Sequence, residues 1–307
     1  MKINNVFKIR TFLSMLIVIL ISSLFLLSSC GGSEESSGVA KIDFKKGYGA
    51  VTLDLLDNRP PERLLVGDDL MISVKLNNFG AYDVTNGQVN IERLDRKYID
   101  LFEPSKKFPQ TGFTFEGQGI SNSEGDVEFI DFFGLIRDIK EGVDFDEARF
   151  DVKVEYDTTN QLLYTVCLPA QGYNVIDSGC EKKANQKNSP IRLSGGQGSA
   201  LSVDSIDLMP SGLSNPTVRF LISLKNGGHG EVGKVRIIKA SLGGNQMECF
   251  FRKTDTMEYV FEDNQAEIFC EADVLSTNSY STPLFLEYFY HYSIIETNNF
   301  QIYPRGK

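Results

Sequence analysis

Tryptophan is absent from the 307 residues, and the chain has only two histidines, His229 and His291. Carboxylates are abundant, but no pair of them is flanked by aromatic residues of the kind that bind sugars. Of the three functional hypotheses that the sequence supports, a hydrolase of polysaccharide or peptide is therefore the least favoured. No serine lies in a Gly-x-Ser-x-Gly turn, and the spacing supports no Ser-His-Asp set. His229 lies in a glycine turn and is expected to be a loop residue, whereas His291 is expected to be packed or paired. The chain is therefore not expected to be an enzyme.

Positive charge is scarce, with 31 lysines and arginines against 41 acidic residues and a net charge of −10. No basic stripe is present, and phosphate backbones repel so acidic a protein, which excludes nucleic acid as a partner. The segment Gly195–Gly198 lacks the Lys-Ser/Thr of a phosphate-binding loop and is interpreted as linker.

Carboxylates cluster at two places, and calcium is the one cofactor left open there. The clusters are Asp54, Asp57, Asp68 and Asp69, and Glu141, Asp144, Asp146 and Glu147. Calcium commonly bridges loops through such oxygens, but no EF-hand spacing is present and solvated acid is the commoner outcome. We expect no metal site and no cofactor.

The first thirty residues have the order of a secretory signal. Lys2, Lys8 and Arg10 precede an apolar run of sixteen residues, 12–27, which small residues follow up to Cys30. An uncleaved membrane anchor is the alternative, but a spanning helix needs about 20 apolar residues. Removal of residues 1–29 takes away three positive charges and no acids, which changes the net charge from −10 to −13.

Leu27-Ser28-Ser29-Cys30 resembles the lipobox of prokaryotic lipoproteins. The resemblance implies that a diacylglyceryl group is attached to Cys30 and that the chain is cut just before it. Two acyl chains give stable anchoring. We therefore expect a signal peptide at 1–29, a lipidated cysteine and flexible tether at 30–40, and a body held by its lipid at the cell membrane or outer membrane, facing away from the cytoplasm.

Four cysteines remain, an even number in an exported chain, which favours disulfides. Three connectivities are possible. The spacing favours Cys167–Cys180 and Cys249–Cys270, because each pair then falls within one predicted domain. Buried thiols are the alternative, and zinc is less favoured because no pair has the close spacing of structural zinc clusters.

Alternating strands recur along the body and predict an all-β fold. Residues 150–168 are interpreted as a hairpin that turns at 158–160. Residues 285–292 are interpreted as a central or interface-facing strand, because both of its faces are apolar or aromatic. Periodicity is lost between 169 and 199. We expect a first domain at 41–180 with an insertion around 100–148, a linker at 181–199, and a second domain at 200–307. A short helix is expected at 134–140.

An internal repeat supports this division. Leu76-Asn77-Asn78-Phe79-Gly80 matches Leu224-Lys225-Asn226-Gly227-Gly228, and an alternating strand follows each copy. Asn caps its own turn and Gly permits a positive φ, so Asn78, Gly80, Asn226 and Gly228 are expected to be structural turn residues. An apolar strand that ends in Asn-x-Gly resembles CARDB-type and related immunoglobulin-like modules of prokaryotic surface proteins. The resemblance implies two tandem immunoglobulin-like β-sandwiches.

Phenylalanines enrich the predicted insertion, where core packing and an exposed patch for a partner are both open. They are Phe108, Phe113, Phe115, Phe129, Phe132 and Phe133. The first functional hypothesis is a lipid-anchored, non-catalytic envelope protein that presents its modules for adhesion, binding or scaffolding. The second is an accessory subunit of an envelope secretion or pilus assembly machine. The partners in either case are the membrane and other envelope proteins or surface ligands.

Overall fold

The computed structural model describes residues 43–110, 112–168, 190–193, 195–210, 217–273 and 279–305. The predicted signal peptide, Cys30, the tether and most of the predicted linker therefore lie outside the described residues. Residues Phe44–Lys307 form one compact unit. The described part of this unit contains strands and no helix, so the all-β prediction is confirmed.

Seventeen strands follow one another in the part of the chain that the structure describes. They are β1 (Val51–Leu55), β2 (Arg63–Leu65), β3 (Asp69–Asn78), β4 (Asn86–Glu92), β5 (Ile99–Leu101), β6 (Ser105–Phe108), β7 (Val127–Ile136), β8 (Asp146–Leu168), β9 (Ile191–Arg192), β10 (Leu201–Pro210), β11 (Thr217–Asn226), β12 (Glu231–Leu242), β13 (Asn245–Gln246), β14 (Glu248–Phe251), β15 (Glu258–Val260), β16 (Gln265–Asp273) and β17 (Tyr280–Tyr303).

The strands build three sheets. The first sheet has the order β1-β3-β7-β5, and the second has the order β14-β16-β11-β10-β9. We call the third sheet the shared sheet, because it contains strands of both the first half of the chain (β1–β8) and the second half (β9–β17). Its order is β13-β12-β17-β8-β4-β6, with β15 beside β12 and β2 beside β17. Alternate residues of these strands, such as Ile72 and Val74 in β3 and Val152 and Val154 in β8, are buried in one apolar cluster. The packing of sheet faces over such a cluster is that of a β-sandwich.

β8 and β17 are the centre of the shared sheet, and they pair without interruption. The ladder runs from Leu168 opposite Tyr280 to Asp146 opposite Ile302. The predicted hairpin at 150–168 is therefore wrong, because residues 158–160 continue the strand. Their polar side chains point to partners within the fold: Asn160 Nδ2 donates to Leu201 O at 2.8 Å, and Thr158 Oγ1 donates to Asp83 O at 3.2 Å.

The two halves marked by the repeat are joined through these strands. β8 pairs with β4 in its first part and reaches β10 of the second half through Asn160. The last residues of β17 pair with β2, and Phe300 of β17 packs on Phe150 with ring centroids 6.1 Å apart. Each half thus contributes one long strand to the same sheet, and the expected domain bounds stay a prediction. The exact number of immunoglobulin-like modules stays a prediction.

Two further predictions, the helix at 134–140 and the linker at 181–199, can be compared with the described residues. The predicted helix at 134–140 is wrong, because Gly134–Ile136 continues the alternation of β7 and pairs with β3 and β5. Gly134 permits this approach, since a Cβ there would lie 2.6 Å from Asp100 O. In the predicted linker, Ile191–Arg192 forms β9 against β10, and Gly198 N donates to Gly47 O at 2.9 Å. The described end of that segment is therefore packed on the body.

Candidate functional site

The repeat turns have the same hydrogen bonds in both halves, although neither Gly80 nor Gly228 has the positive φ that the sequence suggested. Gly80 N donates to Asn78 Oδ1 at 3.1 Å, and Gly228 N donates to Asn226 Oδ1 at 3.1 Å. Each asparagine then donates from Nδ2 to a carbonyl four residues on, that of Tyr82 at 3.1 Å and of Gly230 at 2.8 Å. These side chains are committed to ending a strand and turning the chain, and they offer no group to a ligand.

Cys249 and Cys270 are joined by a disulfide. The two residues are direct cross-strand partners in β14 and β16, so the bond clamps β14 onto the edge of the second sheet. Cys167 lies in β8 and Cys180 lies outside the described residues, so their pairing stays a prediction.

The histidines and acidic clusters do not converge on a reactive centre. His291 Nδ1 donates to Asp157 Oδ1 at 3.0 Å, across the shared sheet. Asp68 is held by Arg305 Nη2 at 2.6 Å, and Asp146 lies 3.7 Å from Lys140 Nζ. Among the described residues, no group of three or more His, Cys, Asp or Glu side chains is placed to hold a metal ion.

A cluster of buried tyrosines lies where the halves meet, and sequence reasoning missed its role. Tyr288 Oη donates to Leu201 O at 2.9 Å and accepts from Asn160 Nδ2 at 2.8 Å. Tyr290 Oη lies 2.6 Å from Ser199 Oγ, and Gly230 N donates to Tyr292 Oη at 2.7 Å. The alternation in 285–292 predicted a central strand, but not that its hydroxyls bind the start of the second sheet.

Burial sets the ionisation of this tyrosine cluster. Burial raises the pKa of Tyr290 to about 12, and it raises the pKa values of Tyr156 and Tyr288 well above 10. The adjoining cavity, which Tyr156 and Tyr290 help to line, has a volume of about 10 Å³. That volume accommodates one water molecule at most. The cluster therefore joins the halves and is not a ligand pocket.

The phenylalanines of the predicted insertion divide into two sets. Phe108, Phe115 and Phe132 are fully buried, as expected for core residues. Phe113, Phe129 and Phe133 are exposed, with 59% of Phe129 and 49% of Phe133 accessible. The alternation of β7 causes the division between Phe132 and its neighbours, because successive side chains of a strand point to opposite faces.

Exposed apolar side chains gather on the outer side of the first sheet. Phe129 and Phe133 lie there with Val127, and Phe102 joins them because Phe102 N donates to Phe133 O at 3.0 Å. We call Phe102, Val127, Phe129 and Phe133 the aromatic face. A contiguous exposed apolar patch is typical of a surface that meets a partner.

The aromatic face borders an open strand edge. β5 pairs only with Gly134–Ile136, and among the described residues no strand pairs with β7 before that point on this side. Since Phe133 O points toward β5, the alternation of a strand directs the N–H and C=O groups of Phe129 and Asp131 to the same side. This segment of β7 can therefore accept hydrogen bonds from an added strand and donate to it.

The equivalent edge in the second half is covered. Leu76 of β3 faces Glu128 and its repeat partner Leu224 faces Ala266, so Phe129 corresponds to Glu267 and Asp131 corresponds to Phe269. β14 pairs along this edge, and Arg252 N donates to Glu267 O at 2.9 Å. The carbonyl of Phe129 is the corresponding acceptor in the first half.

A second surface feature is an open groove of about 450 Å³ in the second half, lined by Phe251, Tyr259 and several charged residues. Its charges are largely paired: Lys253 Nζ lies 3.3 Å from Glu262 and Arg252 Nη1 lies 2.9 Å from Glu267. Each charged residue that lines the groove therefore has an ion-pair partner within the fold. No helix in the described part of the chain is long and apolar enough to cross a membrane.

Comparison with known proteins assigns no family. No family model and no curated protein matches the chain. Among solved structures, pT26-6p aligns at 6% identity and a TM-score of 0.22 over 85% of this chain and 65% of its own, so the chain spans less than two thirds of its length. The CupB6 tip adhesin from Pseudomonas aeruginosa aligns at 10% identity and a TM-score of 0.18, over 84% of this chain and 99% of its own. Scores of this size carry no argument about function.

Proposed function

We propose that the mature chain is a lipid-anchored, non-catalytic protein of the cell envelope that binds other envelope proteins or surface ligands. The lipobox at Leu27–Cys30 supports the anchor and the location. The observation that carries the binding role is the aromatic face, where Phe102, Phe129 and Phe133 stand exposed on one sheet.

The aromatic face is suited to binding for physical reasons. Aromatic residues are enriched in protein interfaces relative to other surfaces. Here Phe129 and Phe133 project from β7, a strand that pairs with β3, so little conformational entropy is lost on association. An exposed apolar edge also favours aggregation, and proteins usually blunt such edges with charge or cover them. The presence of three exposed phenylalanines beside an open edge supports a role in recognition.

Docking onto another subunit of an envelope secretion or pilus assembly machine is the second candidate. The same open edge of β7 favours it, because the addition of a strand to a sheet edge is a common way for subunits to join. The two candidates differ in the partner and not in the surface used.

The anchor is tested by labelling growing cells with an alkyne fatty acid, for the natural chain and for Cys30→Ser. We expect label on the natural chain, a mass that begins at Cys30, and partition into the membrane fraction. Cys30→Ser should carry no label and lose its membrane attachment. Equal label on both chains, or a natural chain that still begins at Met1 with an unmodified thiol, would contradict the anchor.

The binding role is tested by cross-linking in intact cells. The double variant Phe129→Ser/Phe133→Ser should lose the cross-linked products of the natural chain. The matched control is Ile238→Ser/Val260→Ser, which removes two apolar side chains that are also exposed but lie in β12 and β15. Identical products from all three chains would show that the aromatic face is not the contact surface.

A further inference from the structure

We propose that the open edge of β7 accepts one extended strand of a partner protein, aligned antiparallel, with a lysine or arginine facing Asp131 and apolar residues facing Phe129 and Val127. This inference rests on the proposed binding role of the aromatic face and names the chemistry of the partner. The site ends before Phe133, because Phe102 N already donates to Phe133 O and β5 pairs with the residues that follow.

The second half supplies an internal precedent for the added strand. β14 lies antiparallel on the equivalent edge of β16, where it covers one aromatic residue and one acid. Phe250 packs on Phe269 with ring centroids 5.2 Å apart, and Arg252 Nη1 lies 2.9 Å from Glu267 Oε2. An apolar residue and a basic residue on one strand therefore satisfy the outer side of β16.

β7 presents the same two kinds of side chain in exchanged order. Phe129 stands where the second half has Glu267, and Asp131 stands where it has Phe269. Within the described residues Asp131 has no ion pair, and Phe129 is 59% exposed. The complement of this edge is a strand that carries a base opposite Asp131 and an apolar side chain opposite Phe129.

A second copy of the chain fits this requirement poorly. The outward residues of β7 are Val127, Phe129, Asp131, Phe133 and Leu135, and none of them is basic. Two β7 strands in antiparallel pairing cannot place a positive charge opposite Asp131. In the register that sets Phe129 against Phe133, they place Asp131 opposite Asp131, which is destabilising. Charge complementarity therefore favours a different partner, in keeping with the net charge of −10 of the whole chain.

The test uses the full-length protein in detergent and a fluorescent nine-residue peptide. The peptide has Lys, Phe and Val at alternate positions in that order and threonine at the other six positions. Antiparallel alignment places Lys opposite Asp131, Phe opposite Phe129 and Val opposite Val127. Fluorescence anisotropy gives the dissociation constant. We expect replacement of the peptide Lys by Glu to weaken binding about tenfold, because the attraction to Asp131 becomes a repulsion. Reversal of the peptide order should weaken it similarly.

Two further variants separate the backbone contact from general stickiness. N-methylation of the peptide Phe removes a ladder hydrogen bond and should abolish binding, although the side chains are unchanged. Asp131→Lys should invert the preference, so that the Glu peptide binds more tightly than the Lys peptide. The matched control Glu271→Lys changes a carboxylate of the covered strand β16 and should leave both affinities unchanged.

Several outcomes would overturn the inference. Equal binding of the Lys, Glu and N-methylated peptides would indicate unspecific adhesion to the phenylalanines. No binding of any peptide would show that the edge does not accept a strand of this chemistry. A dimer that Phe129→Ser dissociates would assign the edge to a second copy. None of these results affects the label at Cys30 or the cross-links in cells, so they are distinguishable from failure of the proposed function.

Discussion

β7 and β16 occupy equivalent positions in the two halves of the chain, yet their outer edges differ. β16 is covered by β14, which a disulfide between Cys249 and Cys270 holds in place. Among the described residues, β7 is covered on this side by β5 at Gly134–Ile136 alone, and its earlier residues carry exposed phenylalanine. In the described residues, the second half thus covers the edge of β16 with its own strand β14, whereas the first half leaves the corresponding edge of β7 open.

This difference is the reason for placing the proposed recognition surface in the first half. On β16 the outward residues include Glu267 and Glu271, which form ion pairs with Arg252 and Arg219. Such a surface is satisfied by intramolecular partners. On β7 the outward residues are mainly apolar and meet water, so their burial by a partner would be favourable by about 25 cal/mol per Å² of apolar area.

The largest expected effect concerns the junction that joins both halves. Burial raises the pKa of Tyr290 to about 12 and that of Tyr288 well above 10, whereas unfolded tyrosines ionise near 10. The stability that these neutral hydroxyls contribute is complete below pH 10 and is lost as the pH rises through the folded-state values. We expect both halves to unfold in one step above pH 10, measured by tyrosinate absorbance and circular dichroism together.

Two separate alkaline transitions would contradict this prediction, as would titration of all tyrosines near pH 10 with an unchanged circular dichroism spectrum. The first result would mean that β7 and β16 belong to independently unfolding bodies, and the second would mean that the tyrosine cluster is not buried at the junction.

A second prediction separates the two sides of β7. Phe132 is fully buried and Phe133 is exposed. Phe132→Ala should lower the free energy of unfolding by about 3–5 kcal/mol, because it leaves a cavity in the core. Phe133→Ala should change it by less than about 0.5 kcal/mol. Urea unfolding of the two variants checks the difference, and similar losses would show that the aromatic face is buried in solution.

A third prediction concerns the clamp on β16. Cys249→Ala should lower the free energy of unfolding by about 3 kcal/mol, since the disulfide closes a loop with a sequence separation of 21 residues. The double variant Cys249→Ala/Cys270→Ala is the control for an unpaired thiol and should lose a similar amount. If neither variant differs from the natural chain in urea unfolding, β14 is held by its strand pairing alone.

The sequence predicted the local order of the fold well. Alternation located most strands, and the cysteine spacing indicated the pair Cys249–Cys270, which the structure contains. The Asn-x-Gly repeat marked two turns that prove to share their hydrogen bonds. These features depend on residues close in sequence, so a single chain is enough to reveal them.

The pairing of strands that are distant in sequence could not be predicted from the sequence, for a physical reason. Thr158-Thr159-Asn160 has the composition of a turn. Its polar side chains are tolerated inside a strand because they bond to the distant residues Asp83, Leu201 and Tyr288. Likewise, alternation shows that Phe132 and Phe133 face opposite ways, but not which faces the core. The open edge of β7 depends on where β5 ends, and no local pattern records that.

Amide hydrogen exchange tests the difference between the two edges most directly. The N–H groups of Phe129 and Asp131 point to an open edge, whereas that of Phe269, which corresponds to Asp131, lies opposite Phe250 of β14. Followed by NMR on the full-length protein, Phe129 and Asp131 should exchange about 100-fold faster than Phe269, and they should become protected when the Lys peptide binds. Equal protection of the three amides in the protein alone would contradict an open edge on β7.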